Sequence, residues 1–384
     1  MTCPAPLAAL RLLADDLTGA LDSAAAFGAG VPVHLDCPGA AVDGPAAVQV
    51  VQVVATATRD AHADELPALL GASVPWLASA GLAFKKVDSL LRGNTLDEVR
   101  WLAAAGGFRR VVFAPAFPAQ GRYTVGDRLA VGSPGGAADE ASVCGGNLRD
   151  ALLAAPWPAD CALELPEVRS DGDLDRLVTR LIHIDGGPRT LWCGSAGLAA
   201  AMARQRLWMS PENLPTAPAR AAGPVWVIGA SHQAVTRRQW ARAIAAHPDA
   251  VTVRHGDAAA FERALSALSV SSGGTASRPA LALLDLSPLE PLSPHEAAAL
   301  LHAQVQRLAA LPEGPSRLLV LGGDTARALV RAAGVDHLVS GQPVRPGWGQ
   351  ARWVGGRWDG LWMDCRSGAF GDDDDLLAAL DLRT

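Results

Sequence analysis

Short, unbroken apolar runs that each end on a small or acidic residue are the feature that most restricts what this chain can fold into. They read LRLLA before Asp15, VPVHL, VQVVQVVAT, LAFKKV, RVVFAPA and TLWCGS, and, after a gap, VWVIGAS, VTVRH, LALLDLS and RLLVLGG. A half-exposed strand alternates apolar and polar residues. A continuous apolar run of this length marks a strand covered on both faces, as in a parallel sheet flanked by helices. Longer stretches with helical spacing lie between the runs, among them Thr18–Gly28, Asn94–Ala105 and Thr325–Ala333. The expected fold class is therefore α/β, with mostly parallel sheets flanked by helices.

At 384 residues the chain is too long for one ordinary core, and two domains are expected. The stretch SPENLPTAPARAAG, Ser210–Gly223, is rich in Pro and Ala and has no periodicity, which puts the domains at 1–215 and 222–384. Ser271–Arg278, SSGGTASR, reads as a loop within the second domain. The DDDD tract at Asp372–Asp375 reads as an acidic helix start rather than a metal cluster. No metal-ligand set is identified.

The formal net charge of −6 excludes a broad basic footprint, so no nucleic-acid partner is expected. The six cysteines are scattered with no CxxC pair, no apolar stretch is long enough for a bilayer, and the start has no signal-like pattern. A cytoplasmic location without a membrane partner is the expectation, and the sequence leaves room for a homo-oligomer.

In a parallel α/β sheet, ligands gather at the carboxyl ends of the strands and at the helix N-termini that follow. Three polar clusters of the first domain fall at such points. The first, ADDLTGA, places Asp15, Asp16 and Thr18 between a strand and a helix. One acidic residue there could be a helix cap, but two adjacent carboxylates cannot both cap. The second, FKKVDSLLRGN, holds both lysines of the chain, Lys85 and Lys86, followed by Asp88, Ser89, Arg92 and Gly93. Strand alternation sends Lys86 and Asp88 to one side and Lys85 to the other. The third, FPAQGRYTVGD, lacks regular periodicity and offers Gln120 and Arg122 from a loop.

The second domain has glycine turns instead. LGGDTA brings Gly322, Gly323, Asp324 and Thr325 to a helix N-terminus suited to phosphate. Ser231 follows VWVIGA, while Ser367 and Gly368 lie in RSGAFG. Ser195 occupies a similar turn at the last strand of the first domain. Neither a Walker A sequence nor a dinucleotide G-x-G-x-x-G in a βαβ setting is present.

In chain order, ADDLTGA, KKVDSLLRGN, APAFPAQGRYTVGD, GSAGLA, VTRRQ, GGDTA and SGAFG resemble the four-carbon acid sugar kinase family over nearly the full length. The resemblance implies an N-terminal domain for a sugar acid, a C-terminal domain for ATP, and an active site in the cleft between them. It also implies phosphoryl transfer to the terminal hydroxyl of a compound such as threonate, erythronate or a 3-oxo-tetronate. Asp16, Lys86, Asp88 and Arg92, with Arg122 nearby, then fall on the acceptor side, where Asp15, Thr18, Ser89, Gly93 and Gln120 join them. Ser231, Gly322, Gly323, Asp324, Thr325 and Gly368 fall on the ATP side, with Ser195 and Ser367. In this scheme Arg92 pairs with the acceptor carboxylate, Asp16 or Asp88 takes the hydroxyl proton with Asp16 favoured, and Lys86 follows the developing charge. Mg²⁺ enters with ATP, aided by Asp324.

The chain departs from the family pattern at Leu90, Tyr123, Asp324, Arg366 and Ala369, and throughout the glycine-rich segment Val131–Gly146. The alternatives are an acid-sugar dehydrogenase, disfavoured by the missing fingerprint, an aldolase with a Lys86 Schiff base, and a non-catalytic sugar-acid sensor.

Overall fold

The computed structural model describes residues 9–38, 51–182, 189–205, 223–270, 278–290, 292–342 and 347–381. The chain divides into two compact units, Met1–Glu212 and Asn213–Thr384. The expected linker at Ser210–Gly223, except Gly223, and most of the expected loop at Ser271–Arg278 lie outside the described residues.

The first unit contains β1 (Leu10–Ala14), β2 (Pro32–His34), β3 (Val51–Ala55), β4 (Leu82–Lys86), β5 (Arg110–Ala114), β6 (Arg122–Val125), β7 (Arg128–Val131), β8 (Ser142–Cys144), β9 (Ala162–Glu164) and β10 (Thr190–Gly194). Seven of these form a wholly parallel sheet in the order β2-β3-β1-β4-β10-β5-β9. Every residue of β1 and β4 is buried, which accounts for their unbroken apolar sequences.

The register brings five strands to a common finishing line. Ala14 lies opposite Ala55 and Lys86, Lys86 opposite Gly194, and Gly194 opposite Ala114. The chain leaves β1 toward β2 on one side and leaves β4 toward β5 on the other. The switch point of the topology, where ligands collect in open α/β sheets, is therefore between β1 and β4.

The second unit contains β11 (Val225–Gly229), β12 (Val251–Val253), β13 (Leu281–Asp285), β14 (Arg317–Leu321), β15 (His337–Ser340), β16 (Gly349–Val354) and β17 (Trp362–Arg366). Their order is β12-β13-β11-β14-β17-β16-β15, parallel as far as β17, with β16 and β15 antiparallel. Here the switch point falls between β11 and β14.

The third polar cluster is not a plain loop. Gly121–Asp127 enters a hairpin of β6 and β7, to which β8 is added antiparallel. Gly126 and Asp127, both at φ 57°, form the two-residue turn that suits the twist of such a hairpin. Tyr123 is buried on β6, and its hydroxyl donates to the Gly136 carbonyl at 2.6 Å, tying down the glycine-rich segment.

The acidic tract does start a helix, Asp375–Asp381. Asp373 pairs with Arg238 at 2.7 Å, Asp374 pairs with Arg242, and Asp375 accepts from Trp348 Nε1 at 3.1 Å. Among the described residues no helix is long and apolar enough to cross a membrane, and no group of three His, Cys, Asp or Glu is arranged for a metal ion.

Candidate active site

Asp15 and Asp16 follow β1 and divide the work between them. Asp16 is the N-cap of the helix Leu17–Ala26. Its Oδ1 accepts the Gly19 N–H at 2.9 Å, and its Oδ2 accepts from the Thr18 hydroxyl. Asp15 faces the other way and is 2% exposed. The group that unites them is Arg59, in the loop after β3. Arg59 Nε and Nη2 donate to the two Asp15 oxygens at 2.8 and 3.0 Å, while Nη1 donates to Asp16 Oδ2 at 2.8 Å. Its Nη2 also stands 3.9 Å from Asp88 Oδ1.

Sequence reasoning missed Arg59, although the signal was available. Like the other clusters, it sits in a polar loop directly after a continuous apolar run, ATATRD after VQVV.

Asp88 organises the loop after β4. Its Oδ2 accepts the N–H groups of Leu90 and Arg92 at 3.1 and 3.2 Å. Arg92 folds back to clasp the same carboxylate through Nε at 2.9 Å and Nη2 at 2.6 Å. The wrap forces Leu91 to φ 57°, a conformation a bulky residue adopts only when its surroundings impose it. Gly93, at φ 70°, lets the next turn press on the first loop, since a Cβ there would lie 2.4 Å from the Arg59 carbonyl oxygen. Asn94 Nδ2 completes the joint by donating to the carbonyls of Thr58 and Ala61 at 2.9 and 2.6 Å.

Lys86 is buried on the side of Asp16, and its Nζ donates to the Val87 carbonyl at 3.1 Å. A Cβ on Gly19 would stand 3.0 Å from that Nζ, so the ammonium lies against the first turn of the Asp16-capped helix.

These charges hold one another ionised. Burial opposes ionisation of Asp88, but the hydrogen bond and charge of Arg92, with Arg59, outweigh it and bring the carboxyl down to about 2. Burial likewise opposes Asp15, whose carboxyl is held below its ordinary value by Lys85, Arg59 and Lys86. Asp16 has the most accessible of the three carboxylates, at 14% side-chain exposure against 3% for Asp15 and 7% for Asp88.

Ser89 is half-buried and Leu90 is exposed in the same loop. Arg122 follows β5 and is half-buried, with Nη1 on the Gln120 carbonyl at 2.7 Å. Ser195 is buried in the first unit. Its hydroxyl donates to the Ala116 carbonyl at 2.6 Å and caps the next helix by accepting the Gly197 N–H at 3.1 Å.

The remaining candidates of the second unit meet at its own carboxyl edge. Gly322, at φ 118°, caps the helix Gly323–Ala332 and donates its N–H to the Arg366 carbonyl at 2.8 Å. Thr325 is buried in the first turn, and Asp324 is exposed there. Gly368 abuts Ser231 so closely that a Cβ would lie 2.3 Å from its hydroxyl oxygen.

Arg366, fully buried over the Trp348 ring, donates Nη1 to the carbonyls of Ser367 and Phe370 at 2.8 and 3.1 Å and Nη2 to Gln239 Oε1. Burial lowers this guanidinium to about 10, against the pull of Asp375. The loop Ser367–Phe370 is thus built on an interior arginine and on the helix Ala234–Ala246, whose Thr236 donates to the Gly368 carbonyl. Glycines at the N-terminus of a helix form the kind of turn in which backbone N–H groups can meet an anion.

Two family models match the chain, a sugar-binding N-terminal domain over residues 10–144 and a nucleotide-binding C-terminal domain over residues 226–376. A D-threonate kinase of Bordetella bronchiseptica is 31% identical over 96% of both chains, and one of Cupriavidus necator is 28% identical over 88% of both. A solved Salmonella typhimurium structure shares the fold at a TM-score of 0.71, with 20% identity over 98% of this chain and all of that one. The chain belongs to the four-carbon acid sugar kinase family, phosphotransferases that act on a hydroxyl group.

Proposed function

We propose that the protein is an ATP-dependent kinase of a four-carbon sugar acid, phosphorylating the terminal hydroxyl of threonate, erythronate or a 3-oxo-tetronate. The observation that carries this reading is the network Asp15–Arg59–Asp16 with Asp88–Arg92 at the switch point of the first sheet. A small polyhydroxy acid needs cationic forks for its carboxylate and a carboxylate for its hydroxyl, and this edge holds both. The similarity to two D-threonate kinases favours a four-carbon acceptor.

Arg59 and Arg92 orient the acceptor's carboxylate. Asp16 receives the proton of the attacking hydroxyl, because it is the most accessible of the three carboxylates and Asp88 is held too acidic by Arg92. Lys86 neutralises charge on the acceptor oxygens from its place beside Asp16. Its ammonium is buried and donates to a backbone carbonyl, which suits electrostatic support better than the nucleophilic amine an aldolase would need.

The glycine cradle of the second unit holds the nucleotide phosphates through backbone N–H groups of Gly323–Thr325 and the Ser231–Gly368 junction, while the Gly322 N–H is spent on the Arg366 carbonyl that shapes the turn. The exposed carboxylate of Asp324, in that first turn, would hold Mg²⁺ brought with ATP. There it would supply neutralisation of the phosphate charge.

The test is ADP release with ATP, Mg²⁺ and a panel of threonate, erythronate and 3-oxo-tetronate stereoisomers. ADP formation dependent on at least one acid is expected. ADP at background across the panel, with borohydride trapping of Lys86 by a keto acid, would replace this reading with the aldolase.

A further inference from the structure

The two lysines sit on opposite faces of β4, and only Lys86 belongs to the edge described so far. Lys85 points into the apolar layer with Leu13, Val87, Val99, Leu102, Phe113 and Cys193, where its ammonium contacts Glu98 of the helix Thr95–Ala105. The side chains are 1% and 0% exposed, and neither Lys85 Nζ nor the Glu98 carboxylate has a further hydrogen bond of good geometry. Fold stability does not explain such a pair, because well-packed apolar residues commonly replace buried ion pairs without loss.

Register supplies another reason. Lys85 lies opposite Leu13, and the next residue of the neighbouring chain on that face is Asp15. Charges therefore alternate from the core to the site: Glu98, Lys85, Asp15, Arg59, then Asp16 and Asp88, then Arg92.

We propose that Lys85 and Glu98 are positioning residues for the acceptor site, fixing the buried Asp15 carboxylate as the anchor that aims Arg59 at Asp16 and Asp88. Burial opposes the Asp15 carboxylate, and the Lys85 charge works against that burial together with the charge and hydrogen bond of Arg59 and the charge of Lys86. Asp16 and Asp88 share Arg59 with Asp15, Arg92 clasps Asp88, and Glu98 and Cys193 lie by Lys85. Without Lys85, Asp15 would gain a proton more readily and loosen its two-oxygen hold on Arg59. The role in acceptor binding rests on the kinase reading, whereas the hold on Arg59 does not.

The experiment compares the wild type with Lys85→Met/Glu98→Leu, which removes both charges and leaves neither stranded. Solvent exchange of the Arg59 Nε–H, followed by NMR on ¹⁵N-arginine protein and assigned with Arg59→Lys, reads the Asp15 contact without turnover. A roughly 10-fold faster exchange at an unchanged urea midpoint is expected. In the kinase assay the acceptor KM should rise roughly 10–100-fold while the ATP KM holds, with the acid limb of kcat/KM moved to higher pH.

Unchanged exchange, or a fall in urea midpoint large enough to account for the faster exchange, would overturn the proposal. Should the apolar pair not fold, Lys85→Gln/Glu98→Gln serves the same measurement. A wild type that turns over no acid removes the kinase reading, while the exchange rates still decide the positioning role.

Discussion

At the carboxyl edge of the first sheet, Asp15, Asp16, Arg59, Lys86, Asp88 and Arg92 neutralise one another through side chains from three loops. The equivalent edge of the second sheet is made of backbone, with Gly322, Gly323 and Gly368 around a helix N-terminus and its main cation, Arg366, turned inward to hold a loop. Under the proposed function, the difference would suit two kinds of anion. A small acid offers few atoms and must be matched by placed charges, whereas a polyphosphate is long enough to be held by a row of N–H groups. The charged edge is also the more fragile, since removing one member strands its partners in a buried setting.

The sharpest break in the comparison is Asp16→Asn. It keeps the cap, since asparagine caps as well as aspartate, but removes the proton acceptor. A loss of roughly 10²–10⁴-fold in kcat is expected in the steady-state assay, with the ATP KM unchanged.

Arg92→Gln comes next, with a roughly 10–100-fold rise in acceptor KM. It also tests the electrostatics. Asp88 has a folded value of about 2, below its unfolded value, so its contribution is complete above the ordinary carboxyl range and disappears only as the pH falls toward 2. Losing Arg92 should return this carboxyl toward its ordinary value of about 3.9, and the acid limb of acceptor binding should move up with it.

Tyr123→Phe has the smallest effect. It removes the bond to the Gly136 carbonyl and should cost about 1 kcal/mol, visible as a lower Tm by calorimetry, with acceptor KM changed less than about 3-fold.

Strands buried on both faces were legible because their apolar runs are unbroken, and the polar residues at their ends marked the two carboxyl edges where the candidate site residues gather. Strand alternation also separated Lys86 from Lys85, as the burial of both and the Lys85–Glu98 contact bear out. The pairing of Asp15 and Asp16 with Arg59 was not legible, because it joins residues 44 and 43 positions apart through β-sheet register. The contact of Arg92 with Asp88, four residues earlier, was not legible either, because it depends on the left-handed turn at Leu91.

The hairpin of β6 and β7 was hidden by its short strands, although Gly126-Asp127 between Tyr-Thr-Val and Arg-Leu-Ala is a hairpin turn signal. Tyr123 and the glycine-rich segment looked like two unrelated departures from the family, but they form one contact.

The central claim is the division of labour between a charged acceptor edge and a backbone nucleotide edge. Isothermal titration of Arg59→Gln and Gly368→Ala, each with ATP–Mg²⁺ and with the best acid of the panel, tests it most directly. Arg59→Gln should weaken the acid by roughly 100-fold and leave ATP within about 2-fold, while Gly368→Ala, whose Cβ would collide with Ser231, should do the reverse. Equal losses of both ligands in either variant would contradict the division.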